Sequence, residues 1–260
     1  MRRFRFMTML CILSAVCVIT LSGCRNNVGI VRVMTYNLHH CMGDDGIYDV
    51  SRIAEFMITH QADIILCQEV DSAYSDRSKM EKQPEMLETM LGFHAFYGPN
   101  IGETYGNLIL SRYPIASTEN ISLPNPDDIE PRGVIVATLK AGKNTITIMD
   151  THLSAFSRHN RDVEVEFLKG IVKERDGLVL FGADFNCRPS GQLKPLLDDG
   201  VVADTRDGVL GLGEGIDDIL VSIPLRDCVI KGEIVENQLS DHPAYWIDID
   251  FGKLKVRRNK

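Results

Sequence analysis

At 260 residues, with 44% hydrophobic and 25% charged side chains, the chain has ordinary globular composition and enough apolar mass for one sizeable core. Its formal net charge is −8, and residues 1–23 carry three arginines and no acid, so the remainder stands at −11. A surplus of that sign argues against sequence-independent binding of long nucleic acids, which needs Lys and Arg to neutralise phosphates.

The N-terminal stretch reads as a targeting segment. Arg2, Arg3 and Arg5 precede an apolar run from Met7 to Leu21, and Leu21-Ser22-Gly23-Cys24 follows. A basic start, a short apolar run and small residues before the cut are a secretory signal, and the run is short for a spanning helix. The last four residues are similar to a bacterial lipobox, which implies cleavage before Cys24 and lipid on its sulfur. The expected layout is a signal peptide over 1–23, a lipidated tether over 24–30 and one domain over 31–260. Such a protein is exported and lipid-anchored to a bacterial cell membrane. Cys41, Cys67, Cys187 and Cys228 form no CxxC pair and read as buried free thiols.

Along the domain, Val31-Arg32-Val33-Met34-Thr35-Tyr36 is a strand pattern that runs into Asn37. Val50, Ile53, Ala54, Met57 and Ile58 recur at helical spacing between Asp49 and His60, with Asp49 or Ser51 near the start. Ile64-Ile65-Leu66-Cys67 then runs into Gln68-Glu69. Further helices are expected over 84–91, 161–172 and, with Ser190 as cap, 193–197. Strands are expected near 106–110, 134–139, 145–150, 178–182, 216–221, 227–230 and 244–249. Leu123 to Arg132 holds three prolines and three acids and marks a loop. Strands and helices interleave without a linker or repeat, which predicts a single α/β domain.

The polar residues that close these runs carry the chemistry. Asn37, Glu69, His152, Asp184, Asn186, Asp217, Asp241 and His242 all lie at or beside strand ends, which gathers them at one rim of a sheet. Several carboxylates at one rim repel each other unless a cation or a proton sits among them. Oxygen-rich, thiol-free ligands suit Mg²⁺ or Mn²⁺ more than Zn²⁺.

Seven segments, in this order and at these separations, carry a resemblance. They are Thr35-Tyr36-Asn37, Gln68-Glu69-Val70-Asp71, Gly106 to Arg112, Thr151-His152-Leu153, Gly182-Ala183-Asp184-Phe185-Asn186, Ile216-Asp217 and Ser240-Asp241-His242. Together they resemble the endonuclease/exonuclease/phosphatase superfamily, from about Val31 to Asp250. The resemblance implies a DNase I-like four-layer α/β sandwich, with two mostly antiparallel β-sheets face to face and helices outside. It also implies a divalent-metal phosphodiesterase or phosphatase. Thr35 to His40, Arg77-Ser78 downstream of Gln68-Glu69, and Ser111 to Ile115 look like the bacterial branch near the GPI-anchor lipid remodelling proteins. One departure is that Gly215 precedes Ile216 and Asp218 follows Asp217, where the family often has Arg-Ile-Asp-Tyr.

Phosphate-ester hydrolysis needs a cation, a base for water and donors for the developing charge. The expected roles follow. Glu69 and Asn37 hold Mg²⁺ or Mn²⁺, with Asp241 as a second ligand or an orienting group. Asp184 orients or deprotonates water, and Asn186 holds the phosphate or that water. His242 touches a phosphoryl oxygen and Asp217 fixes its ring. His152 donates to the phosphate or the leaving group. Asn107, Arg112, Arg132 and Arg188 are candidates for substrate contact. The expected protein is a monomeric, membrane-anchored phosphoesterase acting on a small molecule or a lipid head group. The alternatives are a secreted nuclease and a catalytically inactive lipoprotein that binds a phosphate ligand.

Overall fold

The computed structural model describes residues 29–141, 144–175 and 177–254. The stretch read from sequence as a targeting segment, and Cys24, lie outside them. Among these residues, twelve strands form two six-stranded sheets. Sheet one holds β1 (Ile30–Asn37), β2 (Ile64–Asp71), β3 (His94–Ile101), β4 (Tyr105–Ser111), β11 (Val229–Val235) and β12 (Ala244–Asp250), in the order β11-β12-β1-β2-β4-β3. Sheet two holds β5 (Ile115–Ser122), β6 (Gly133–Ala141), β7 (Asn144–His152), β8 (Leu178–Asp184), β9 (Val202–Asp204) and β10 (Asp217–Ser222), in the order β5-β6-β7-β8-β10-β9. One pair in each sheet is parallel, β1 with β2 and β7 with β8; the other pairs are antiparallel.

Strand periodicity of two builds the layers. On β1, Val31 and Val33 face the other sheet, while Met34 and Tyr36 face outward. On β8, Leu180 faces inward, and Val179 and Phe181 face outward. The outward face of sheet one packs on Val50, Ile53, Ala54 and Met57 of helix α1 (Val50–Thr59) and Leu87 of α2 (Gln83–Leu91). That of sheet two packs on Val165, Leu168, Ile171 and Val172 of α3 (Arg158–Lys173) and Leu196 of α4 (Lys194–Asp198). A short α5 (Ile223–Arg226) follows β10. Central strands covered on both faces read as continuous apolar runs. The result is a helix–sheet–sheet–helix sandwich, as the resemblance implied.

Capping follows the expected chemistry at α1, where the Asp49 carboxylate accepts from the Ser51 and Arg52 amides. Helix α3 starts three residues earlier than its apolar pattern, because the Ser157 hydroxyl caps it through the Asn160 amide. Ser190 does not cap α4. Its amide and hydroxyl both donate to the Glu214 carboxylate at 2.7 Å. The four described cysteines are buried.

One irregularity aims a site residue. The β2–β4 register shifts between Cys67 and Val70, and Glu69 sits in this bulge with φ of 55°. A bulge lets one side chain leave the regular alternation of its strand. Gly106 faces Val70 across it. A Cβ on Gly106 would lie 2.1 Å from the Gly98 carbonyl oxygen, so only glycine lets β3 and β4 close here.

Candidate active site

The two parallel pairs bring their C-terminal ends to one rim. In sheet two the register sets His152 beside Asp184, and Asp184 beside Asp217. In sheet one Asn37 stands beside Gln68, one residue before Glu69. Asn37 ties the sheets together, since its side-chain amide donates to Glu69 Oε1 at 3.0 Å and to Asp184 Oδ2 at 3.1 Å. The loop before β12 is pinned to the same rim. Ser240 Oγ donates to the Asn37 carbonyl at 2.7 Å and accepts from the His242 amide at 3.2 Å.

The two histidines carry different charges. Arg132 Nη1 lies 3.1 Å from His152 Nδ1. A guanidinium only donates, so Nδ1 accepts and the ring proton sits on Nε2, 3.3 Å from Asp184 Oδ2. Burial, then Arg132 and His242, hold the His152 pKa well below the usual imidazole value, and the ring is neutral. His242 behaves oppositely. Burial pulls its pKa down, but the hydrogen bond and charge of Asp217, with Asp184 and Asp241, lift it to about 9. Its Nδ1 lies 2.9 and 3.1 Å from the two Asp217 oxygens, and its Nε2 lies 3.7 Å from Asp184 Oδ2. Asp184 is almost wholly buried. Desolvation, then the charge of Asp217, push its carboxyl far above the ordinary range.

Asn186 also has positive φ, 48°. Its amide N–H donates to Asp184 Oδ1 at 3.0 Å, and its Nδ2 donates to the Leu153 carbonyl at 2.9 Å. Glu69, Arg132, His152, Asp184, Asn186 and His242 line one cavity of about 280 Å³. Tyr74, Arg77, Ile101, Tyr105, Glu130, Ala155 and Phe156 complete its lining, and none of these was singled out from sequence as a site residue. Two of them had a signal. Arg77 follows the Gln68-Glu69 segment in the resemblance, and Phe156 is a large aromatic among small and polar residues just after His152-Leu153.

Asn37 and Asp217 stand behind the lining, bonded to Glu69, Asp184 and His242, and four further expected residues are not brought to this cavity. Arg112 follows the end of β4 that pairs with the start of β2, at the far rim, and it binds Asp63 at 2.8 Å. Arg188 is exposed and does not line the cavity. Asn107 is buried inside the sandwich, donating to the Gly133 carbonyl at 3.2 Å. Asp241 is half-exposed, with its carboxylate 3.7 Å from His39 Nδ1 rather than among the other acids. Arg132 is the one arginine of the expected three that reaches the cavity.

The donor set fits a hard divalent cation. Glu69, Asp184 and Asp217 bring three carboxylates to one rim, where a bound cation would offset their mutual repulsion. Asp184, Asp217 and His242 offer ligand atoms within 4.8 Å of one another. A protonated His242 is a poor ligand, however, so the oxygens of Glu69, Asn37 and Asp184 are the better set.

Residues 34–242 match the endonuclease/exonuclease/phosphatase family. No curated protein matches the chain. Among solved structures, an endonuclease/exonuclease/phosphatase from Beutenbergia cavernae DSM 12333 is similar at TM-score 0.72 and 19% identity, over 88% of this chain and 73% of that one. A mannosyl-6-phosphatase from Bacteroides thetaiotaomicron VPI-5482 is similar at TM-score 0.70 and 17% identity, over 85% and 100%. Truncated Caenorhabditis elegans TDP2 is similar at TM-score 0.65 and 21% identity, over 85% and 97%. These likenesses bear on fold alone, and they agree with the two-sheet sandwich found here. The match over most of the described domain, with its acids and histidines gathered at one rim, places the chain in the endonuclease/exonuclease/phosphatase family.

Proposed function

We propose that this protein is an exported, membrane-anchored, divalent-metal-dependent phosphoesterase that hydrolyses a phosphodiester or phosphomonoester with an activated water. The observation that carries this reading is the meeting of Glu69, Asn37, Asp184, Asp217, His152 and His242 in one group drawn from both sheets. Glu69 and Asn37, with Asp184, would hold Mg²⁺ or Mn²⁺, which supplies positive charge to a phosphoryl oxygen when bound.

The chain's own groups do the rest. Asp184, oriented by the Asn186 amide, takes the proton of the attacking water. His242, positively charged and held by Asp217, stabilises the negative phosphoryl oxygens. Neutral His152 offers its Nε2 proton to the phosphate or the leaving oxygen, and Arg132 keeps it in that tautomer. Asn186 helps to hold the phosphate. The lipobox-like tetrapeptide ending at Cys24 supports membrane anchoring, and Thr35 to His40 and Arg77-Ser78 support the lipid-remodelling branch. The charge of −11 beyond residue 23 speaks against a nuclease acting on long nucleic acid. The complete set of acids and histidines speaks against an inactive binder.

The test is phosphate-ester hydrolysis by the purified protein with Mg²⁺ or Mn²⁺, with and without a chelator. Chelation abolishes turnover on this reading. Glu69→Gln keeps shape and removes charge, and it lowers kcat/KM by about 100-fold or more while the Tm holds. Metal-independent turnover, or a fully active Glu69→Gln protein, overturns the assignment.

A further inference from the structure

The outer lining of the cavity has a composition that phosphate chemistry does not call for. Phe156 is 87% exposed, yet it does not sit on a loose loop. The preceding Ser154 is clamped by the buried Glu164 carboxylate, which accepts from its hydroxyl at 2.6 Å and from its amide at 2.9 Å. Arg161 donates to the carbonyls of Ser154 and Ala155 at 2.7 and 3.0 Å. Both clamping residues come from α3, so a rigid helix presents this aromatic ring to solvent at the edge of the cavity.

The wall contributed by sheet one is equally fixed. Arg77 makes a two-point ion pair with buried Asp71, at 2.9 and 2.7 Å. Its guanidinium then lies 4.6 Å over the Tyr74 ring and 5.4 Å over the Tyr105 ring, with the two rings 5.7 Å apart. Scattered exposed aromatics are ordinary. These aromatics line one cavity with the catalytic group, Tyr105 from β4, Tyr74 from the loop after β2 and Phe156 from the segment between β7 and α3.

Charge decides what they face. The two arginines that line the cavity are already partnered, Arg77 by Asp71 and Arg132 by Glu130 at 2.8 Å. Tyr105 lines the same cavity as Arg132. The ion pairs take up Arg77 Nε and Nη2 and Arg132 Nη1, and beside them the mouth presents aromatic side chains. Rigid aromatic walls suit a flat apolar ring, which stacks with little loss of side-chain freedom.

Resting on the phosphoesterase reading, we propose that the outer cavity is a subsite for a flat apolar ring in the esterifying group of the substrate. Phe156 on one side and the Tyr74–Tyr105 wall on the other take the ring, while the phosphate lies at the polar group. Phe156 is then a specificity-determining residue, and its effect falls on KM.

The test compares benzyl phosphate with butyl phosphate, as monoesters and as methyl diesters, with Mg²⁺ or Mn²⁺. The two leaving alcohols are similar in basicity, so the ring is the difference. Mannose 6-phosphate is a third arm. Expected are a kcat/KM about 10-fold higher for the benzyl ester, carried by KM, and loss of that preference in Phe156→Ala with the butyl ester changed less than about twofold. Phe156→Tyr keeps the preference and Phe156→Leu loses it, which separates stacking from mere apolar contact. Equal use of both esters, an equal loss on both in Phe156→Ala, or a preference for mannose 6-phosphate that ignores Phe156 overturns the proposal. Calorimetric binding of benzylphosphonate and butylphosphonate, read on the same proteins, separates the two readings. Ring-selective, Phe156-dependent binding without turnover of any ester overturns the hydrolase and supports the subsite. Turnover without ring selectivity does the reverse.

Discussion

Asp184 accepts from the Asn186 amide and the Asn37 side chain, faces the His152 Nε2 proton, and lies 3.7 Å from His242. Its neighbour Asp217 is spent on one partner, with both oxygens on His242 Nδ1. The departure from the family pattern around Asp217 left Asp218 as a rival for that partner. The structure turns Asp218 instead to the Ile219 and Arg206 amides, at 2.7 and 3.2 Å. Because Asp217 and His242 form one unit, their losses do not add. Asp217→Asn and His242→Gln each lower kcat/KM by about 100-fold or more, and the double variant falls little further. A double-mutant cycle measures this, and additive losses dissolve the pair. At this scale, the clustering of these residues was legible because each lies at or beside the end of an apolar run. The protonation states were not, since they depend on Arg132 and Asp217, which are remote in sequence from the rings they control.

Strands β3, β5 and β9, which apolar pattern did not announce, are all edge strands. An edge strand with a solvated face needs no continuous apolar run. Ile115–Ser122 is exposed along most of its length, yet it pairs with β6 from Ile115 to Ser122. Central β10 holds a different surprise in Asp218, a buried acid whose Oδ2 has no hydrogen-bond partner. Burial, then the charge of Asp204, raise its pKa to about 8, against about 3.9 in an unfolded chain. The folded state therefore keeps a proton that the unfolded state has lost. That stability is fully present below about pH 4 and is lost as pH rises through about 8. Thermal melts at pH 6 and pH 9.5 test this. The wild-type Tm falls over that interval by several degrees more than that of Asp218→Asn, at roughly 2–4 °C per kcal/mol for a chain of this size. Equal falls exclude Asp218 as the source.

For the molecule as a whole, the anchoring proposal rests on residues before the described domain. Cys24→Ser removes the proposed lipid site, and the protein then moves from the membrane fraction to the soluble exported fraction or stays as precursor. Several acyl chains hold a protein at a membrane where one does so only marginally. Cell fractionation with gel mobility reads the outcome, and an unchanged membrane fraction with unchanged mobility rejects the lipobox. By itself, the sequence determined the α/β class, the central strands and helices, and the polar residues that end the strands. Those are local properties, since period, caps and strand-end residues act over a few positions. The joining of Asn37 to Asp184 across the sandwich, the neutral His152 beside a charged His242, and the exclusion of Arg112, Arg188, Asn107 and Asp241 from the cavity were decided by tertiary structure. So was the recruitment of Tyr74, Arg77, Tyr105 and Phe156. The physical reason is that strand register, a bulge at Glu69 and the packing of two sheets bring together residues such as Ser240 and Asn37, 203 positions apart, and no local pattern carries that information.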